Sequence, residues 1–450
     1  MLERTKFLTE IIDKYKTEIE DAGWWIWKHP QTGFTEWDAH GFLAEKFRAL
    51  GYELIEAGNI PGFYTDIETG KPGPKLCIMG ELDALDVANH PQSVNGMAHC
   101  CGHCAQAAYM LGLAHAFKEP GVLDNFSGSI RLMLVPAEEL IQIGFREQLR
   151  EDGVITYMGG KPEFMQRGFF DDVDLCMMVH GDNDKKYDIV GIAGENGCIA
   201  KDIMYKGRAS HAGGAPQLGI NAEYAAMLGL QACNDLRETF VEKDAIRFHP
   251  IMKGVKSAVN IIPDEMKIES FVRGRSLAAI QRENKKINRA LAGAAAAMGA
   301  KLFINDRSGY APELDDPAFM NLAIDCCKDI FGEDKAVFRS DFYSPASSDF
   351  GDLTEVMPGI QLFCSGYTGS AHGEDYCIPD MFRLAGNSAK AMLVVADKLM
   401  SGGCKEAKRI VEGFVPRYAS IAEYLATLQE INADIDAVVY GKDGEIRIKV

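Results

Sequence analysis

From Ala98 to Cys104 the chain reads Ala-His-Cys-Cys-Gly-His-Cys, which puts three thiols and two imidazoles in six consecutive positions. Thiolate and neutral imidazole are the donors that Zn²⁺ and related divalent ions prefer. Cys101 and His103 are two apart, so on a regular helix they would point away from each other. They can share an ion only where the backbone turns, and Gly102 between them tolerates backbone angles that other residues avoid. The apolar stretch Ala105–Ala114 that follows reads as a buried helix closed by Pro120-Gly121. The pair therefore sits at a helix N-terminus, where partial positive charge favours a thiolate. Reduced core cysteines beside a hydrogen-bonded histidine are the plainer alternative.

Other residues carry chemistry of the same kind. Adjacent carboxylates such as Glu138-Glu139 repel unless a cation lies beside them. With a metal, one can ligate while the other acts as a general base. His180 closes an apolar run, and His372 lies in a polar, glycine-rich loop. Glu81 and Asp83 can orient a ligand from behind. His211 sits among small residues with no apolar neighbourhood to explain it. Asn260 and Arg273 are candidates for clamping a carboxylate. Each alone also has an ordinary structural reading, as a strand-end acid, a core histidine or a surface polar residue.

The elements that must position these residues follow from periodicity. Residues 5–28 have helical spacing of apolar residues, and a second helix is expected near 36–50. Leu76–Gly80, Ser129–Val135 and Val173–Val179 read as buried strands. They deliver Glu81 and Asp83, Glu138-Glu139, and His180 at their C-terminal ends. Strands alternating with helices predict a layered α/β domain, whose sites collect beyond the carboxyl ends of the strands. From about residue 193 the character changes to a compact β-α-β-β-α-β unit. It comprises a strand at 199–206, a helix from Asn221 to Phe240, strands at Ala258–Ile262 and Met266–Val272, a long helix capped by Ser276 and Gly299, and a strand at Lys301–Ile304. The larger domain resumes with a helix from Asp316-Pro317 to Gly332, a strand over Val356–Phe363 and a helix from Met381 to Met400. The expected organisation is a catalytic domain over 1–193 and 307–400, an inserted lid over 194–306, and an extension over 401–450. The extension reads as a helix followed by a hairpin around Asp443-Gly444.

Bulk properties narrow the function classes. The 450 residues are too many for one core of usual size. A net charge of −18 argues against nucleic acid. No run is long enough to span a bilayer, and Met1–Lys6 lacks the apolar core of a signal peptide. Twelve cysteines without such a signal suggest reduced thiols in a cytoplasm. Cys77, Cys176, Cys233 and Cys364 lie in apolar strings and read as core.

Taken together, the motifs resemble those of the metal-dependent amidohydrolases of the aminoacylase and carboxypeptidase G type, in the branch of the indoleacetyl-amino-acid, hippurate and aminobenzoyl-glutamate hydrolases. The carriers are His29–Glu36, Glu81–Leu85, His99–His103, Pro136–Glu139, Ser210–Ala212, Asn260–Asp264 and Ser347–Asp352, within a resemblance that covers about residues 5–400. It implies a three-layer catalytic domain with a dimerising lid, and two divalent ions (Zn²⁺ or Mn²⁺) per chain. Cys101 would bridge them, with His103, Glu139, His180 and His372 as the other ligands. Glu138 would be the general base and Asp83 the support of a ligand histidine. His211 would reach in from the lid, commonly the partner subunit's, to stabilise the oxyanion, while Asn260 and Arg273 would hold the substrate carboxylate. The expected protein is a cytoplasmic homodimer that hydrolyses the amide bond of N-acyl or N-aroyl amino acids. A dipeptidase of the same fold and a non-catalytic metal-binding protein are the alternatives. Cys104 stands where an acidic residue is usual, Gln106 and Gln217 where histidines are common, and Glu81 where an aspartate is usual. A thiolate from Cys104 near the site would favour a softer metal.

Overall fold

The computed structural model describes residues 2–253, 258–443 and 445–450. Its core is an eight-stranded sheet. The strand order is Ile55–Glu56, Phe63–Glu68, Ser129–Val135, Lys75–Glu81, Leu175–Asp182, Gly359–Ser365, Ile189–Ile192 and Ala336–Arg339. The four central strands, from Ser129–Val135 to Gly359–Ser365, run parallel to one another. They are buried along nearly their whole length, which explains why they read as continuous apolar runs. Because they are parallel, their carboxyl ends open on one edge, and every loop that carries a candidate ligand starts there.

Helices Lys16–Trp27, His103–Ala116, Pro317–Phe331 and Asn387–Met400 pack with one another and with this sheet. The close approach is visible at Gly112, where an added Cβ would lie 2.7 Å from Ile19. The single helix expected over 5–28 is two, Leu2–Lys14 and Lys16–Trp27. Tyr15 leaves helical geometry between them and stacks its ring on His115, with centroids 4.3 Å apart.

The second sheet has five strands in the order Arg247–Lys253, Glu265–Gly274, Gly197–Lys206, Lys301–Ser308 and Ala433–Asp436, all antiparallel. Helices Ala222–Asp235 and Leu277–Met298 pack together over it. The long helix is capped as expected: the Ser276 side chain accepts from the Ala279 N–H, and Gly299 takes φ +74°. The expectation of a strand at 258–262 is corrected. That segment is exposed and makes only an isolated bridge, Ile261 to His211. The missing strand is Arg247–Lys253, an edge strand among the described residues, where Pro250 is tolerated because its lack of an N–H leaves no neighbouring strand unpaired.

The last fifty residues form two helices rather than one, Lys405–Gly413 and Ile421–Ile431, and they bridge the sheets. On the larger-sheet side the Tyr424 hydroxyl meets the Asp352 carboxylate, and the Tyr157 hydroxyl donates to the Leu425 carbonyl at 3.0 Å. On the other side Ala433–Asp436 extends the smaller sheet. Val438–Tyr440 and Ile446–Ile448 form the expected antiparallel pair, and Gly444 in their turn lies outside the described residues.

Candidate metal centre

Gly102 adopts φ +86° and directly precedes helix His103–Ala116. That turn brings Cys101 and His103 onto a common point, which a helix would have prevented. Cys101 is shared by two groups whose donor atoms lie within 4.8 Å of one another: Cys101, His103 and His180, and Cys101, Glu139 and His372. Its Sγ is 3.2 Å from His180 Nε2 and 3.4 Å from His372 Nε2. A third group, Glu81, His103 and Glu138, adjoins the first.

The imidazoles are oriented from behind. His103 Nδ1 faces the Asp83 carbonyl at 2.9 Å and Asp83 Oδ1 at 3.1 Å, leaving Nε2 directed at the centre. Asp83 Oδ2 accepts from the Glu139 N–H at 2.8 Å, so one carboxylate fixes a histidine and the backbone of a second candidate ligand. His180 Nδ1 faces the Gly181 carbonyl at 2.9 Å, which frees its Nε2.

The Pro136–Glu139 corner is held tightly. Glu36 accepts from the Ala137 N–H at 2.7 Å, Arg146 donates to the Ala137 carbonyl at 3.2 Å, and the Tyr310 hydroxyl donates to the Glu138 carbonyl. Ala137 sits at φ +58° and His372 at φ +62°, left-handed conformations that cost a non-glycine residue about 1–2 kcal/mol. Both flank the centre, where surrounding contacts can enforce such strain.

The electrostatics describe a site short of positive charge. Burial, reinforced by the Glu139 and Glu138 carboxylates, holds the Cys101 thiol well above its ordinary range. Burial and the carboxylates of Glu81, Glu139 and Asp349 hold Glu138 well above the usual carboxylate range. For Glu139, burial is outweighed by His372, whose Nε2 is 3.2 Å from Oε1, and the carboxyl falls to about 2. For His103, burial is outweighed by Glu81 and Asp83, and the imidazole rises well above its ordinary value. His103 Nε2 and Glu139 Oε1 are buried, each beside a charged neighbour (Glu81 Oε2 at 3.1 Å and His372 Nε2 at 3.2 Å) but without an aligned hydrogen bond. Orphaned donor atoms, one thiolate-forming sulfur between two groups, and surplus carboxylates fit a pair of divalent ions.

Beyond the centre opens a cavity of about 390 Å³, lined by Cys101, Glu138, Glu139, His180, His372 and Arg273 among others. His211 and Asn260 are not part of it. Both are exposed on the smaller-sheet side, where the Ala212 N–H donates to the Asn260 carbonyl at 2.9 Å. His211 Nδ1 accepts from the N–H groups of Gly213 and Gly214 at 3.1 and 2.9 Å, which leaves Nε2 as the outward N–H. Cys104 is buried, belongs to none of the ligand groups among the described residues, and is kept a thiol by burial. The idea of an extra thiolate at the site therefore has no geometric basis.

Lys161 escaped sequence reasoning. It is fully buried, donates to Glu81 at 2.5 Å and pairs with Asp349. Gln106 donates to the other Glu81 oxygen at 2.7 Å. Nothing in Gly159-Gly160-Lys161-Pro162 marks this lysine as buried. Arg146 and Tyr310 were equally silent.

The profile of "Peptidase family M20/M25/M40" matches residues 77–392, well over half of the chain. The indole-3-acetyl-aspartic acid hydrolase of Enterobacter agglomerans is 26% identical over 319 residues, covering 68% of this chain and 67% of that protein. The hippurate hydrolase of Campylobacter jejuni is 25% identical over 369 residues, 79% of this chain and 90% of that protein. In fold, the chain is similar to a dinuclear metal-binding peptidase of family M20 from Bacillus subtilis. The TM-score is 0.63 at 19% identity, with 86% of this chain and 99% of that one covered. The chain is an amide-bond hydrolase and belongs to peptidase family M20/M25/M40.

Proposed function

We propose that the protein hydrolyses the amide bond of N-acyl or N-aroyl amino acids, or similar small conjugates, at a centre holding two divalent ions. The observation that carries the reading is the sharing of Cys101 between two ligand groups at the floor of a cavity that also presents Glu138 and Arg273. Cys101, His103 and His180 would hold one ion, and Cys101, Glu139 and His372 the other. When bound, such a pair supplies Lewis-acid polarisation and lowers the pKa of water. Glu138 takes the proton of the attacking water and returns it to the leaving nitrogen. Asp83 keeps His103 and the Glu139 backbone in register. Arg273 pairs with the substrate carboxylate. The amino-acid conjugates named in the two relatives support this substrate class.

The chain divides, in this reading, into a catalytic part over 1–193 and 307–400, a lid over 194–306, and the bridging extension. The lid leaves Arg247–Lys253 as an uncapped strand edge. On the same unit Leu218, Tyr224, Met227, Leu228, Val259 and Ile261 expose apolar surface, and Tyr224, Val259 and Ile261 line one hollow. An open strand edge and an exposed apolar patch on one unit both suit self-association into a homodimer. His211, bridged to Ile261 and pointing its N–H outward, would then serve the partner subunit's centre as an oxyanion donor, with Asn260 beside it.

The test is hydrolysis of hippurate, N-acetyl amino acids and plain dipeptides with Zn²⁺ or Mn²⁺ added, with sedimentation of the same samples. Metal-dependent release of the amino acid from an acylated substrate, by a dimer, is the expected result. Cleavage confined to dipeptides would make the protein a dipeptidase, and silence across the panel with metal bound would overturn the reading.

A further inference from the structure

Beside the metal centre the cavity has a second polar wall to which nothing above assigns a role. Glu195 lies on the short strand Gly194–Glu195, opposite Glu313 of Glu313–Leu314. Its side chain lines the cavity that also holds Cys101, His372 and Arg273, yet the residue is only 5% exposed. Behind it Glu313 and Asp315 are buried. Glu313 and Asp315 meet each other as a carboxyl pair, and Asp315 Oδ1 accepts from the Gln361 N–H at 3.0 Å. Gln361, 2% exposed, lines the same cavity, and its Oε1 is buried without a partner. Burial raises the Glu195 carboxyl to about 7 against the pull of Ser344 and Arg273, and burial raises Glu313 and Asp315 further. Lys161, the buried cation that acts on Glu313, is already bound to Glu81 and Asp349.

A buried acid and an unfilled amide oxygen, Glu195 and Gln361 Oε1, thus line a substrate cavity, with two further buried acids behind them. Among the described residues this acidic trio is not among the groups close enough to ligate one ion. An organic cation, with several N–H donors spread over a larger radius, suits it better.

We propose that Glu195, with Gln361, forms a subsite for a positively charged amine of the substrate. The inference rests on the amidohydrolase reading and narrows it: the substrate carries an ammonium group as well as the carboxylate held by Arg273. Glu195 is the specificity residue, and the buried Glu313, its cross-strand neighbour, stands behind it with Asp315.

The test uses the metal-loaded, full-length protein and product-like ligands that cannot be hydrolysed, each pair differing by one amine. L-Lysine against L-norleucine places the amine on the amino-acid side, and 6-aminohexanoate against hexanoate places it on the acyl side. In titration calorimetry, one pair is expected to show about tenfold tighter binding of the amine-bearing member, the scale of a charge-assisted hydrogen bond. In Glu195→Gln that ratio should collapse toward one, and Glu195→Asp, which keeps the charge, should retain part of it. Glutamine preserves shape and removes a buried acid, so thermal unfolding of Glu195→Gln should occur at the wild-type temperature or above. No amine preference in either pair, or a preference that survives Glu195→Gln, would overturn the proposal. Hydrolysis of hippurate is scored separately. Turnover without amine preference defeats the Glu195 subsite alone, whereas Glu195-dependent amine binding without turnover of any amide defeats the hydrolase reading and leaves the subsite standing.

Discussion

Glu138→Gln is expected to lower kcat by about 10³-fold or more while two ions per chain remain bound, since positioned acid–base groups contribute about 10²–10⁴-fold. Glutamine keeps the shape and the polar contacts of the side chain but cannot take a proton. Glu138 is suited to the role because it is almost fully buried, lies beside His103 and Glu81, and has its backbone carbonyl fixed by Tyr310. Its raised pKa reflects burial and three neighbouring carboxylates. Divalent charge nearby would bring the group back toward a range in which it can accept and return a proton near neutral pH. Steady-state kinetics combined with metal analysis separates the outcomes. Loss of rate with metal retained supports the base. Loss of both would make Glu138 a ligand, and a rate within tenfold of wild type would remove it from the mechanism.

The second large effect is structural. Lys161→Met should destabilise the protein by about 3–5 kcal/mol, the cost of removing one partner from a buried ion pair. Burial alone would lower the lysine's pKa, but Asp349 and Glu81 reverse this and keep it charged. Methionine would leave both carboxylates buried without a cation. Glu81 Oε2 lies 3.1 Å from His103 Nε2, so the loss should also weaken metal retention. Urea unfolding measures the first effect, and a Lys161→Met, Glu81→Gln double variant should recover part of it. A change below about 1 kcal/mol would mean that the carboxylates find other partners.

How much of this was legible in the sequence depended on how local the signal was. The Cys101-Gly102-His103 turn was legible because a ligand spacing of two demands a break in the helix, and Gly102 supplies it at φ +86°. The strands ending at Glu81, Val135 and Asp182 were legible because strands buried on both faces read as unbroken apolar runs. That all three, with the strand before His372, open on one edge follows from their parallel pairing. Lys161, Glu195 and Arg146 were not legible. Each is a charged residue whose burial depends on partners brought in from distant positions, such as Glu81 and Asp349 for Lys161. The 247–253 strand was hidden by Pro250, and 258–262 misled because an apolar run faces solvent there. The extension's two helices could be anticipated only in part, because its bridging role rests on the Tyr424 contact to Asp352 and the pairing of 433–436 with 303–306. The lid histidine is a further case. Its motif stood out in the sequence, yet within one chain the structure keeps His211 away from the cavity.

The claim on which the account depends is that Cys101 belongs to two ion sites at once. The direct measurement is metal per chain, by mass spectrometry after saturation with Zn²⁺ or Mn²⁺ and removal of excess ion, in wild type, Cys101→Ala and His372→Ala. The account predicts two ions in wild type, about one in His372→Ala, and loss of both tightly held ions in Cys101→Ala. One ion or none in wild type, or two ions retained after Cys101 is removed, would contradict it.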